Sequence, residues 1–450
     1  MHYSKVFAFA LWIAYACFVA GCSQRALTRD ASDETGDLQE EALKEGPSVA
    51  RSVRLSPALL PAVAGARSKR AEMAGRAYAR SPRGARAKAT ALNRFSPSVL
   101  PSNTMAVHAI DVGQADAFLL EFKCAAALID TGLEYTAGNS PKQRLADYLE
   151  WFFTERRPDL NNTLALAVLS HSHADHANGV PIVLGDAPGA VSLSVQNVVD
   201  NGYDVLAGAD EQQRLRSSAS VSAESVSAAA IDWYEGATSA TIDPIGACDS
   251  GEADPLIRVL WGAWDEIEGA PANPNHHSVV MRVDYGESSF LFTGDIQTGT
   301  GGQVGGLEAM LEDYAADNSA FDVDVLKVAH HGAANGTTDA FVKATTPCLA
   351  MMGVGRPDTK GTGSAWGHGH PRRETLQRLT MPNYGVSGSR PLIRVAAFDH
   401  EEEPHVMVDL TQAIFATAWD GHFVVYAGAD GTLQVEAEHT DVTRYDVDCD

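Results

Sequence analysis

The segment Leu169-Ser170-His171-Ser172-His173-Ala174-Asp175-His176 gathers three imidazoles and one carboxylate within six residues. Burying such groups without partners would cost on the order of several kcal/mol, and a bound cation removes that cost. Alternating spacing lets His171 and His173 project to one side, and a turn after them brings Asp175 and His176 to an adjacent position. One loop can thus offer ligands to two cations. The plain alternative is a polar turn with exposed histidines. More nitrogen and oxygen donors follow in Asn275-His276-His277-Ser278, Gly294-Asp295, His330-His331-Gly332 and Gly367-His368-Gly369-His370-Pro371.

The elements that must position these groups are short apolar runs ended by turn residues. Met105 to Ile110, Ala117 to Phe122, Ala125 to Ile129 and Leu164 to Leu169 read as strands, and Pro141 to Phe153 reads as a helix. The histidine loop therefore sits where the carboxyl end of a strand turns toward a helix. Val279 to Val283 and Ser289 to Phe292 flank a Tyr285-Gly286 turn signal, which predicts a hairpin just before Asp295. Leu307 to Tyr314 reads as helix, and Val323 to Val328 reads as a buried strand leading to His330. This alternation argues for a layered α/β architecture. From about Gly185 to Pro274 the pattern suggests an insertion over one face, with a helix in the Ser/Ala-rich stretch Arg216 to Ala230. After Leu392, runs near Ile393 to Phe398, Ala413 to Trp419, His422 to Tyr426 and Thr432 to Val435 predict a small β-rich extension. No internal repeat is evident.

The 450 residues carry 34 Lys+Arg against 58 Asp+Glu, a formal charge of −24. With 45% hydrophobic residues the chain can bury a sizeable core, which excludes collagen-like and wholly disordered classes. The charge is a sum of unlike parts. Residues 51 to 94 hold eleven Lys/Arg against the single acid Glu72, a net of +10, whereas residues 95 to 450 hold 19 basic and 50 acidic residues, a net of −31. The basic stretch reads as a tether that touches anionic lipid headgroups, peptidoglycan-associated polyanions or nucleic acid, or else as a solvated linker. The acidic remainder disfavours nucleic acid as a partner.

Val6 to Gly21 follows Lys5 and is shorter than the roughly 20 apolar residues of a bilayer-spanning helix, so residues 1–21 read as an export signal. The run ends in Val19-Ala20-Gly21-Cys22, which resembles the lipobox of bacterial lipoproteins. That resemblance implies cleavage before Cys22 and a membrane-anchoring lipid on its sulfur. An ordinary signal peptide with an incidental cysteine is the alternative. Ser23 stands where Asp would imply inner-membrane retention, so the expected location is the outer membrane. Residues 22–94 then read as tether, 95–400 as hydrolase domain and 401–450 as extension. Cys17 is lost with the signal, leaving Cys124, Cys248, Cys348 and Cys449 as disulfides or buried thiols. The sequence does not choose among their pairings.

The ordered motifs resemble those of metallo-β-lactamase fold hydrolases, and most of all the hydrolase domain of ComEC-type DNA-uptake proteins. They begin with Asp111-Val112-Gly113-Gln114-Ala115-Asp116-Ala117 and Leu128-Ile129-Asp130-Thr131-Gly132, followed by the histidine loop. Asn275 to Ser278, Phe292-Thr293-Gly294-Asp295-Ile296, Leu326 to Gly332 and Gly367 to Pro371 complete the series over residues 105 to 395. Ala115 and Asn178-Gly179 depart from the family's usual glycines, and no multi-helix channel accompanies the domain. The resemblance implies a four-layer αββα sandwich with two divalent metal ions. Zn(II) fits the donors best; Mn(II) or Fe(II) fit as well.

Residue by residue, the resemblance implies that His171 and His173 bind one ion, Asp175 and His176 the second, and Asp295 both. Asp175 then also belongs to the catalytic machinery. Consecutive residues at a strand end point in opposite directions, so His331 is assigned to metal and His330 to substrate contact or proton donation, the reverse staying open. His276 or His277 is either a further ligand or a surface or substrate-facing histidine beside Asn275. His368 and His370 suit a flexible rim that contacts substrate. Asp130 is expected to hydrogen-bond the histidine loop from beneath. Asp111 and Asp116 do the same or serve as turn residues. The implied reaction is hydrolysis of a phosphoric ester by a metal-bound hydroxide, as a phosphodiesterase or nuclease. Hydrolysis of a carbon ester, thioester or lactam is the second reading, and a non-catalytic metal-containing binding module the third.

Overall fold

A computed structural model describes residues 100–134, 140–187, 190–226, 242–262, 272–316, 318–399, 405–439 and 445–449. The expected signal, Cys22 and the basic tether lie outside the described residues. No helix among the described residues is long and apolar enough to cross a membrane.

Period-two alternation builds the first sheet. In β1 (Thr104–Ala109), Met105, Val107 and Ala109 face one apolar core while Ala106 faces another, as the pleat requires. β2 (Phe118–Glu121) and β3 (Ala126–Ile129) continue antiparallel, and β4 (Thr163–Leu169), β5 (Ser194–Asp200) and β6 (Ser222–Ser225) then run parallel. The second sheet repeats this plan. β7 (Pro255–Trp261), β8 (Val280–Tyr285) and β9 (Ser288–Phe292) form an antiparallel meander, followed in parallel by β10 (Val325–Lys327) and β11 (Leu349–Met352). The expected hairpin is β8–β9, turning at Gly286 with φ 62°.

The β-rich C-terminal segment contains a hairpin of β12 (Ser389–Ala397) and β13 (Val406–Gln412), and then completes both sheets. β14 (Ile414–Ala416) joins β11, while β15 (Phe423–Gly428), β16 (Leu433–Ala437) and β17 (Tyr445–Val447) extend from β1. The strand orders are β17-β16-β15-β1-β2-β3-β4-β5-β6 and β14-β11-β10-β9-β8-β7. Both halves share a meander-then-parallel topology that left no trace as a repeat in the sequence.

The two sheets pack face to face through Val107, Phe118, Leu120, Ile129, Leu166 and Val168 against Val259, Met281, Val283, Phe290 and Phe292. The outer face of the first sheet buries Leu119, Leu128 and Ala167 against Leu145, Tyr148 and Leu149 of the helix Ser140–Trp151. The helices Gly306–Asp313, Asp339–Thr345 and Arg373–Leu379 bury Leu307, Met310, Phe341, Val342, Leu376 and Leu379 with the second sheet. This is the four-layer αββα arrangement expected. Each fully buried Leu or Phe contributes about 1.5–3 kcal/mol.

The segment from 185 to 274 is threaded through the fold instead of lying over one face, since it supplies β5, β6 and β7. The helix expected over Arg216 to Ala230 is displaced. It spans Ala209–Ser218, and β6 follows within the Ser/Ala-rich stretch. Ser217 and Ser218 turn their hydroxyls back onto the carbonyls of Gln213 and Leu215 at 2.7 Å, a local competition that weakens helix ends. Residues 227–230 lie outside the described residues. The disulfides are Cys124–Cys248 and Cys348–Cys449.

Candidate metal centre

The donors converge because strands of both sheets end on one side of the interface. β3 ends at Ile129, and Asp130 follows with φ 58°, a conformation that Asp tolerates better than most residues. Its carboxylate turns beneath the histidine loop after β4. Oδ1 accepts the Ser170 N–H at 2.7 Å; Oδ2 accepts the Ser170 hydroxyl and the His176 Nδ1–H, both at 2.8 Å. That contact engages Nδ1 of His176 and fixes the ring so that Nε2 faces Asp295. At Gly132 an added Cβ would lie 1.4 Å from the Asp175 carbonyl, so only glycine lets the two loops meet.

Asp295 enters after β9. Gly294, with φ 50°, has no room for a Cβ, which would sit 2.8 Å from both Ser170 and Ser278. The Asp295 N–H donates to Ser278 Oγ at 3.0 Å, and its Oδ2 lies 3.2 Å from His176 Nε2 and 3.2 Å from His331 Nε2. His331 donates through Nδ1 to the Gly353 carbonyl at 2.7 Å, which leaves its Nε2 facing Asp295.

His330 and His331 depart from the opposed directions expected of strand neighbours. Both have φ near 50°, because β10 ends at Lys327 and the chain turns left-handed, where strand alternation no longer holds. Both rings therefore face Asp295, His330 through Nε2 at 3.8 Å. His330 Nε2 also lies 3.4 Å from the Asn275 amide.

Asp116, His176, Asp295 and His331 form one buried group whose donor atoms all lie within 4.8 Å of one another. Asp116 thus stands in the group itself. Lys327 was not anticipated either. Its Nζ is buried, pairs with the Asp116 carboxylate, bonds the Gly294 carbonyl at 2.7 Å and lies 3.6 Å from Asp295 Oδ1. The available signal was a cation inside the apolar run Leu326-Lys327-Val328.

The remaining residues take distinct places. His171 Nε2 and His173 Nδ1 approach to 3.0 Å, with the His171 ring centre 4.1 Å from that of His176. Asp175 Oδ2 lies 3.4 Å from His331 Nε2. His276 accepts the Gly306 N–H through Nδ1 at 3.1 Å, and His277 packs its ring against Tyr203. Neither belongs to the group of four. Ser278 does what those neighbours do not, bracing Asp295 from the same turn. Asp111 pairs with Arg144 at 2.9 Å and accepts the Gly113 N–H at 3.2 Å, a turn role. His370 and His368 lie beside His330, with ring centres of His330 and His370 5.2 Å apart and those of His368 and His370 5.8 Å apart.

The field at the group favours a cation. Burial opposes charge on His176, yet the Asp295 and Asp130 carboxylates hold its pKa up at about 10. Burial likewise opposes charge on His331, which Asp295 and Asp116 push well above the imidazole range. Asp295 is held well below the carboxylate range by His176 and His331 despite its burial. His330 differs, because burial dominates and lowers it to about 4.

The residues fit a divalent metal. His176 Nε2, His331 Nε2 and Asp295 Oδ1 are buried and make no hydrogen bond among the described residues. Native interiors rarely leave such atoms unpartnered, and imidazole nitrogens with carboxylate oxygens are a donor set for Zn(II), Mn(II) or Fe(II).

The chain is 24% identical over 250 residues to "Uncharacterized protein YcaI" of Escherichia coli, covering 56% of this chain and 25% of that protein. It is 25% identical over 260 residues to "Recombination protein 2" of Haemophilus influenzae, covering 57% of this chain and 25% of that protein. The chain spans about a quarter of the length of these curated relatives. Among solved structures it resembles the metallo-beta-lactamase fold protein YhfI from Bacillus subtilis, at 13% identity and TM-score 0.32, covering 55% of this chain and 85% of that one. The family model of the metallo-beta-lactamase superfamily matches residues 110–347, over half of the chain, and the protein belongs to that superfamily.

Proposed function

We propose that this chain is a metal-dependent phosphoric ester hydrolase, a phosphodiesterase or nuclease-like enzyme with a two-ion centre. The observation that carries the metal-dependent reading is the buried group of Asp116, His176, Asp295 and His331, with three unpartnered donor atoms turned inward. His171 and His173 would hold one divalent ion, Asp175, His176 and His331 the other, with Asp295 shared. Bound metal would supply Lewis acidity and a water of lowered pKa. Asp130 orients His176, Ser278 holds the Asp295 backbone, and Lys327 neutralises Asp116. His330, lowered to about 4 by burial, is kept neutral and available to a substrate oxygen.

The acidic charge of residues 95–450 favours a small ester, such as a nucleotide, a phosphocholine-bearing glycan or a lipid headgroup, over a long nucleic acid. The net charge of +10 over residues 51–94 and the similarity to a protein named for recombination favour a nucleic-acid substrate instead. Export with a lipid on Cys22 is part of the proposal, with the outer membrane as location. Two disulfides suit an oxidising compartment.

The test is metal content together with a screen of bis-p-nitrophenyl phosphate, single-stranded DNA, phosphorylcholine esters and a cephalosporin. Hydrolysis of a phosphoric ester that stops on chelation and returns with metal is the expected result. Cleavage of the lactam alone would replace the phosphoester reading, and a chain that takes up no transition metal would remove it. DNA hydrolysis limited by binding should fall steeply with salt, whereas small-ester turnover should not. Labelled palmitate should enter the wild-type chain in cells but not Cys22→Ala.

A further inference from the structure

Gln114 lies in the loop between β1 and β2 and is buried. Both its backbone and its side chain are held. Its N–H donates to Glu134 Oε2 at 3.1 Å, and its Oε1 accepts the Gly355 N–H at 3.1 Å. A Cβ at residue 355 would sit 2.8 Å from the Gln114 nitrogen, so glycine permits this approach. A backbone N–H can only donate, and the Gly355 contact therefore decides which end of the amide carries oxygen. The other end, Nε2, then donates to His370 Nδ1, 3.1 Å away.

An imidazole whose Nδ1 accepts a hydrogen bond is neutral and carries its proton on Nε2. His370 is itself fixed, being buried and donating its N–H to the Ala365 carbonyl at 3.0 Å. Its ring centre lies 5.2 Å from that of His330 and 6.3 Å from that of His331, at the edge of the metal centre. With Nδ1 engaged and Nε2 protonated, His370 has no lone pair to offer a metal ion. What it has is an Nε2–H on a ring packed beside His330 and His331.

We propose that Gln114 is a positioning residue that locks His370 as the Nε2–H tautomer, so that His370 donates a hydrogen bond to an anionic oxygen of the substrate. The phosphoryl nature of that oxygen rests on the function proposed above, whereas the tautomer rests on the hydrogen bonds alone. A neutral donor of this kind orients an anion without competing with the metal for it.

The test uses the full zinc-loaded chain, labelled with ¹⁵N-histidine and observed by long-range ¹H–¹⁵N NMR, with His370→Asn identifying the resonance. His370 should show an unprotonated Nδ1 and a protonated Nε2; the opposite pattern in the wild-type chain overturns the proposal without any variant at Gln114. Gln114→Glu preserves shape, accepts the Gly355 N–H and faces His370 with an acceptor. It should move the proton to Nδ1 and weaken binding of inorganic phosphate about 10-fold or more at unchanged zinc content. Gln114→Met removes the lock without adding charge and should also weaken phosphate binding. Weakening by Gln114→Glu alone would assign the effect to charge and overturn the proposal. A wild-type chain with the expected tautomer that binds phosphate but cleaves no phosphoester would remove the functional reading and leave this one standing.

Discussion

The Nδ1–H of His176 meets Oδ2 of Asp130 at 2.8 Å, and the same carboxylate takes the backbone and hydroxyl of Ser170. One acid just after β3 thereby orients a histidine on the next strand's loop. Asp130→Asn retains the shape but offers an amide N–H to one of these donors. We expect it to lower metal affinity about 10- to 100-fold with the fold intact. Metal titration alongside circular dichroism checks both parts, and unchanged affinity would refute the role of Asp130.

Asp295 touches both His176 and His331, while His368 stands at the side of His370. Asp295→Ala should therefore abolish metal retention and activity, and His368→Ala should leave metal content unchanged. Elemental analysis of the two purified variants separates them.

Lys327 is a buried cation paired directly with Asp116, and its removal would leave that carboxylate with the more distant imidazoles of His331 and His176. Breaking a buried pair in this way costs about 3–5 kcal/mol. Lys327→Met should lower the metal-free protein's stability by that order in denaturant titration. The loss should be smaller with metal bound, because the metal then supplies the missing positive charge.

Away from the centre, His108 accepts the Tyr148 hydroxyl at 2.8 Å and donates to Glu121 at 3.0 Å. Burial lowers its pKa from 6.5 to about 4, against the opposing pull of Glu121. The unfolded chain thus takes up this proton first as the pH falls through 6.5. The stability His108 contributes is fully present above 6.5 and is lost as the pH falls toward about 4, to the extent of about 3 kcal/mol. His108→Gln offers both hydrogen bonds without titrating, and melting temperatures from pH 7 to 4 should fall less steeply in this variant than in the wild type.

The order of chemistry along the chain was legible without coordinates. Ligand chemistry depends on side-chain type, and the histidine loop, Gly294-Asp295 and His330-His331 each carry their own donors at the end of an apolar run. Asp130 beneath the loop was expected from the family resemblance, and the pairing of β3 with β4 is what places it there. Short apolar runs ended by turn residues likewise marked β1 to β4, and the Tyr285-Gly286 turn marked the β8–β9 hairpin.

What only the tertiary structure decided was which distant residues share the centre. Asp116 and Lys327 meet across 211 positions of sequence, His276 and His277 turn away while Ser278 turns in, and Cys348 finds Cys449. The C-terminal strands similarly pair with strands some 300 residues earlier in the case of β1 and about 65 in the case of β11. Such pairings depend on strand register and on how the sheets stack, and local spacing records neither. The sequence by itself specified the donors and the strand ends that carry them; closure of the two sheets on each other decided which donors meet.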